Sequence, residues 1–127
     1  MMAYTPKDFL VWGEIPVTDM DAATRFYQHV TGAELELVTD GPNPMLLFRP
    51  KDPANGVALS IYPGTPASDG VGPTLHLAAE GALAEVMTRV TDAGGQVVSE
   101  AVSLPGGHFF YAKDPDGNSV GFYEATG

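Results

Sequence analysis

From Phe9 to Val17 the segment F-L-V-W-G-E-I-P-V alternates, with Val11, Ile15 and Val17 on one side and Trp12 and Glu14 on the other. That period of two predicts a strand with an apolar rear face and a front face carrying an indole and a carboxylate. The period then changes. Ala22, Ala23, Phe26, Tyr27 and Val30 recur at helical spacing behind T-D-M-D, which offers Thr18 or Asp19 as N-cap and Asp21 in the first turn, and Gly32 stops the helix. Ala33 to Val38, Met45 to Arg49 and Val57 to Tyr62 read as strands, separated by D-G-P-N-P and K-D-P-A-N-G. The first half is therefore β-α-β-β-β.

The order repeats after P-G-T-P-A-S-D-G. Thr74 to Ala79 alternates; Ala82, Leu83, Val86, Met87 and Val90 form a helical stripe ended by Gly94-Gly95; Gln96 to Val102, His108 to Ala112 and Ser119 to Tyr123 are strand candidates. The fold class predicted is α+β, two βαβββ modules (about residues 8–63 and 71–125) within one domain spanning 1–127. The tripeptide Lys51-Asp52-Pro53 returns as Lys113-Asp114-Pro115, a shift of 62 that also sets Gly32 on Gly94 and Phe48 on Phe110. The helices match at a shift of 60, Val30 with Val90 and Tyr27 with Met87. An internal duplication follows, with the repeated Asp-Pro turns building hairpins rather than carrying chemistry.

Composition narrows the function. Sixteen acidic and six basic residues give a formal charge of −10, which repels phosphate backbones and anionic headgroups, so neither nucleic acid nor membrane is an expected partner. The absence of cysteine removes disulfides, thiolate metal sites and thiol nucleophiles. No basic leader with an apolar run opens the chain, and no stretch approaches 18 apolar residues, which makes a cytoplasmic location the expectation. No glycine-rich phosphate loop, H-E-x-x-H helix or nucleophile elbow occurs.

The segments I-P-V-T-D-M-D-A-A-T-R-F-Y-Q-H-V-T-G (Ile15 to Gly32) and F-Y-A-K-D-P-D-G-N-S-V-G-F-Y-E (Phe110 to Glu124) resemble the vicinal oxygen chelate superfamily, which includes glyoxalase I, bleomycin-resistance proteins, fosfomycin-resistance enzymes and extradiol dioxygenases. The resemblance covers essentially the whole chain. It implies that each module curls into a half-barrel, that two modules enclose a ligand cavity, and that the chain forms a homodimer. Glyoxalase-like members place a His, Gln or Glu metal ligand on the first and last strand of each module. Counted from the helix-cap Asp and the D-P-D-G-N turn, those slots fall on Trp12, Leu59, Thr74 and Gly121. A divalent ion wants several nitrogen or oxygen donors, and these four side chains do not supply them. No metal cofactor is therefore expected.

Alternation carries the cavity-facing positions two residues onward, to Glu14 and His76, themselves 62 apart. Set on neighbouring central strands they form a charge-assisted pair that favours protonated histidine, whether as a structural bridge, a ligand anchor or a catalytic acid–base couple. Trp12 is a stacking wall, Tyr123 a hydroxyl on the Gly121 side, and the missing side chain at Gly121 leaves room for a ligand or for the Trp12 indole. Leu59 completes the wall. His29 is explained by the helix C-terminus, and His108 by a surface strand end beside P-G-G. The leading expectation is a protein that binds a small molecule through Trp12, Glu14, His76, Leu59, Gly121 and Tyr123 without the glyoxalase-type metal. The alternative is a metal-dependent lyase, isomerase or dioxygenase whose divalent metal sits at a displaced site on Glu14 and His76. A purely structural module is the third.

Overall fold

In the computed structural model, residues 3–6, 10, 12–41, 43–52, 58–67 and 69–125 are described. The strongest local signals give the two helices. Helix α1 (Met20–Thr31) starts at Asp19, whose Oδ1 accepts from the amides of Asp21 (3.0 Å) and Ala22 (3.1 Å), and it ends at Gly32, where φ of 80° suits glycine. Helix α2 (Leu83–Asp92) has no side-chain cap but keeps the apolar stripe Leu83, Val86 and Val90 inward. The helices match at the predicted offset of 60: Phe26, Tyr27 and Val30 stand against the core as Val86, Met87 and Val90 do. Arg89 of α2 donates to the carbonyl oxygens of Val30 and Glu80, supplying a partner to the end of α1.

Each module supplies one mixed sheet. In the first, β1 (Trp12–Val17) runs parallel to β4 (Ala58–Pro63), followed by antiparallel β3 (Met45–Phe48) and β2 (Glu36–Val38), in the order β1-β4-β3-β2. In the second, β5 (Leu75–Ala78) runs parallel to β9 (Ser119–Ala125), then antiparallel β8 (Gly107–Lys113) and β6 (Gln96–Val97), with β7 (Val102–Leu104) also on β8. The strand expected over Gln96–Val102 is thus two short pieces. Val98 and Ser99 both turn their amides to the Tyr111 carbonyl, which marks the break between them. Phe9 and Val11, assigned above to the first strand, and most of the K-D-P-A-N-G turn, from Pro53 to Val57, lie outside the described residues.

The two modules share one core in which Ile15, Val17, Phe26, Tyr27, Val30 and Ile61 meet Leu77, Val86, Val90, Phe110, Val120 and Phe122. The duplication is therefore visible in the packing, but the repeated tripeptide does not mark it. Lys113 is the last rung of the β8–β9 ladder, opposite Ser119, whereas β3 ends at Phe48, leaving Lys51 and Asp52 in the loop beyond. Core partners give the true offsets: 62 on the first strand (77 − 15), 61 on the last (122 − 61) and 64 on the third (110 − 46).

The D-P-D-G-N turn fastens one module to the other. Asp114, only 3% exposed, accepts at Oδ1 from the amides of Asp116 and Asn118 (both 2.9 Å), and at Oδ2 from the Tyr27 hydroxyl (2.8 Å) and Asn118 Nδ2 (2.9 Å). Asn118 Nδ2 also reaches the Pro16 carbonyl at 2.8 Å, and Asp116 receives the hydroxyl of Thr18. The Asp114 carboxylate holds the turn in shape and takes the Tyr27 hydroxyl of α1, while Asn118 carries the bond to the end of β1.

Candidate functional site

The strand registers decide which side chains share a face. Gly13, Ile15 and Val17 stand opposite Leu59, Ile61 and Pro63 on the core side of the first sheet, so Trp12 and Glu14 project from the other face beside Ala58 and Ser60. In the second sheet Leu75, Leu77, Val120 and Phe122 form the core side, leaving His76, Gly121 and Tyr123 on the open face. Trp12, Glu14, His76, Gly121 and Tyr123 thus share the faces turned away from the core, as the alternation predicts. Leu59 is the correction: the last strand is offset by 61, so Ser60 rather than Leu59 takes the place matching Gly121, and Leu59 turns to the core side.

A second correction concerns Glu14 and His76. Their strands belong to different sheets, and among the described residues no hydrogen bond or ion pair joins them. Burial of the imidazole pushes the His76 pKa down, the reverse of the rise that a carboxylate partner would give, so the ring is neutral at pH 7. It is seated on Gly121, where a Cβ would lie 2.2 Å from Nδ1, and meets Phe109 (4.9 Å between centroids) and Tyr111 (5.6 Å) edge-on. The space above Gly121 is therefore filled by His76, not by Trp12, which is 60% exposed. Tyr123 is engaged too, its hydroxyl donating to the Gly106 carbonyl at 3.0 Å.

An imidazole–carboxylate pair does exist, elsewhere. His108 Nε2 and Glu124 Oε1 are 2.5 Å apart across the β8–β9 ladder, where the two residues are direct register partners. Counting back from the D-P-D-G-N turn would have set these two opposite each other, a signal that treating His108 alone passes over.

A hollow opens where β1, β4 and β5 approach one another. It is a cleft of about 610 Å³ with Phe48, Leu59, Leu75 and Leu77 among its walls and His76 on its border, while Trp12, Glu14, Gly121 and Tyr123 lie outside it. Gly13 shapes it. A Cβ there would stand 2.9 Å from Leu75 Cδ1 and 3.0 Å from Leu59 Cδ1, so glycine lets leucines of both modules close over β1. Arg49, Lys51 and Glu34 supply its charged lining. Of the six sequence candidates, Leu59 and His76 line this cleft; the rest of its lining was missed, although a glycine amid the apolar rear positions of the first strand is a mark of close approach.

The four slots Trp12, Leu59, Thr74 and Gly121 do not fit a divalent metal. They offer a single oxygen donor, the Thr74 hydroxyl, which is paired with that of Ser119. Among the described residues no three His, Cys, Asp or Glu side chains converge on one point.

Two mixed sheets, each with one helix connecting its first strand to its second and both packed on a common core, place the chain among known folds. The family model described as Glyoxalase/Bleomycin resistance protein/Dioxygenase superfamily matches residues 9–122. The chain belongs to this glyoxalase superfamily. Solved structures with the same fold include a glyoxalase/bleomycin resistance protein from Albidiferax ferrireducens (21% identity, TM-score 0.65, covering 94% of this chain and 100% of that one). The fosfomycin resistance protein FosX from Listeria monocytogenes (18%, 0.65, 99% and 94%) and UcmS2 (27%, 0.63, 94% and 100%) share it as well. A search of curated proteins finds no match. The sheets do not close into a barrel, and among the described residues no helix of this glyoxalase-superfamily chain is long and apolar enough to cross a membrane.

Proposed function

We propose that this glyoxalase-superfamily protein binds a small organic molecule in the cleft between its modules, without the glyoxalase-type metal site. The observation that carries the reading is the cleft itself, about 610 Å³ with leucine and phenylalanine walls and a few polar groups. Both its size and its lining are those of small-molecule pockets. The neutral imidazole of His76 on its border gives a bound molecule a hydrogen-bond acceptor as well as a donor.

The test is methyl NMR of the Leu59, Leu75 and Leu77 side chains against a library of monocyclic and bicyclic aromatic compounds. The expected result is saturable shifts at these methyls, lost in Ala33→Trp, which fills the half-buried edge of the cleft without altering the core. Shifts confined to the Trp12 indole, or none at the three leucines, would sink the reading.

The exposed Trp12 on the open face of the first sheet supports a second copy of the chain as its cover, the homodimer that the sequence resemblance implies. Light scattering is then expected to give twice the chain mass, with Trp12→Glu shifting it towards the monomer. A monomer mass for the unaltered protein removes this part.

A further inference from the structure

The cations of this chain are few and unevenly placed. Only six basic residues stand against sixteen acidic ones in the sequence, yet among the described residues two of the five basic side chains, Arg49 and Lys51, line the cleft, against one of the fifteen acidic ones, Glu34. Arg49 spends its Nε on Glu36, which holds that carboxyl below its ordinary range and leaves the Nη groups of the guanidinium to another partner. Lys51 is exposed and has no ion-pair partner among the described residues. Elsewhere, Arg89 serves two backbone carbonyls, Lys113 lies 3.8 Å from Asp69, and Arg25 stands exposed on α1 away from the cleft. Lys51 and the free face of the Arg49 guanidinium thus stand beside an apolar hollow.

We infer that the ligand of this cleft is an apolar or aromatic molecule with one carboxylate, its hydrocarbon body on Phe48, Leu59 and Leu75 and its anionic end between Lys51 and Arg49. The inference rests on the reading of the cleft as a binding site and goes beyond it in naming the charge. Overall charge points the opposite way, since a net charge of −10 attracts cations at long range. At contact distance the nearest groups decide, because charges more than about 8–10 Å away are screened in physiological salt.

Three probes of one shape separate the possibilities: naphthalene-2-carboxylate, naphthalene-2-carboxamide and 2-naphthylmethylammonium, each titrated against the Leu59 and Leu75 methyl signals. The carboxylate is expected to bind about fivefold tighter than the amide, an advantage of the size that two exposed cations give. Lys51→Gln combined with Arg49→Gln should bring it level with the amide, as should 0.5 M salt, while the amide's own affinity stays unchanged. Equal binding of carboxylate and amide at those methyls overturns the inference and leaves the cleft reading intact. Tightest binding of the ammonium also overturns it, assigning the charge selection to Glu34. No shift at either leucine with any probe ends both.

Discussion

Asp114→Ala is expected to cost about 3 kcal/mol and to lower the melting temperature by roughly 10 °C, measured by denaturant and thermal unfolding. The carboxylate is 3% exposed and accepts four hydrogen bonds, two from backbone amides of its own turn and two from the Tyr27 hydroxyl and Asn118 Nδ2. Alanine leaves the phenol and the amide side chain buried without that acceptor, and the turn then loses its hold on α1 and β1. Tyr27→Phe removes a single donor, with an expected cost of about 1.5 kcal/mol. Burial first, and then the charge of Asp114 and the hydrogen bond to it, raise the Tyr27 pKa well above 10. The sign follows from linkage. Tyrosine in the unfolded chain ionises near pH 10, so the contribution of the protonated phenol is complete below that pH and declines as pH rises through it. The advantage of the unaltered protein over Tyr27→Phe should accordingly narrow by up to about 1.4 kcal/mol per pH unit above 10. An Asp114→Ala variant within 1 kcal/mol of the original would mean that the turn does not fasten the modules.

That clamp was half legible from sequence. D-P-D-G-N announced a turn, and the helical spacing of Phe26, Tyr27 and Val30 announced a buried face, because both are local patterns. That the turn of one module grips the helix of the other is a long-range fact with no periodic signature. The same division runs through the candidate site. Alternation placed Trp12 and Glu14 correctly opposite Ile15, and His76 opposite Leu77, since each lies within one continuous strand. Leu59 lines the cleft but from the face opposite to the one expected, because a single shift of 62 does not carry facing across a loop. Loop lengths make the true offsets 62, 64 and 61 on the first, third and last strands, and an error of one residue turns a side chain from one face to the other. Recurrence of K-D-P encouraged the single shift, yet Lys51 belongs to a loop and Lys113 to a strand. Nothing in the spacing could set Lys51 and Arg49 beside Leu75, whose strand comes from the other module.

Gly95→Ala is expected to destabilise by about 3 kcal/mol, at the upper end for a single added methyl in a filled core. Its Cβ would stand 2.5 Å from Cε1 of Phe26 and 2.7 Å from the carbonyl oxygen of Lys113. Neither neighbour can yield cheaply. Phe26 is fully buried and packed edge-on against Tyr27 at 4.9 Å, and the Lys113 oxygen is backbone at the end of β8, one residue before the Asp114 clamp. Gly95 is thus small for a reason independent of its backbone angles: the ring from the first module occupies the place its side chain would take in the second. Pairing the change with Phe26→Leu tests that account. If the methyl and the ring compete for one volume, the double variant should be at least 1 kcal/mol more stable than the sum of the two single losses predicts, measured as a double-mutant cycle by urea unfolding. Strict additivity would place the harm of Gly95→Ala in the β8 backbone instead. A loss under 1 kcal/mol for the single change would show that the modules do not meet so closely, and the leucine walls of the cleft, which depend on the same approach at Gly13, would have to open with them.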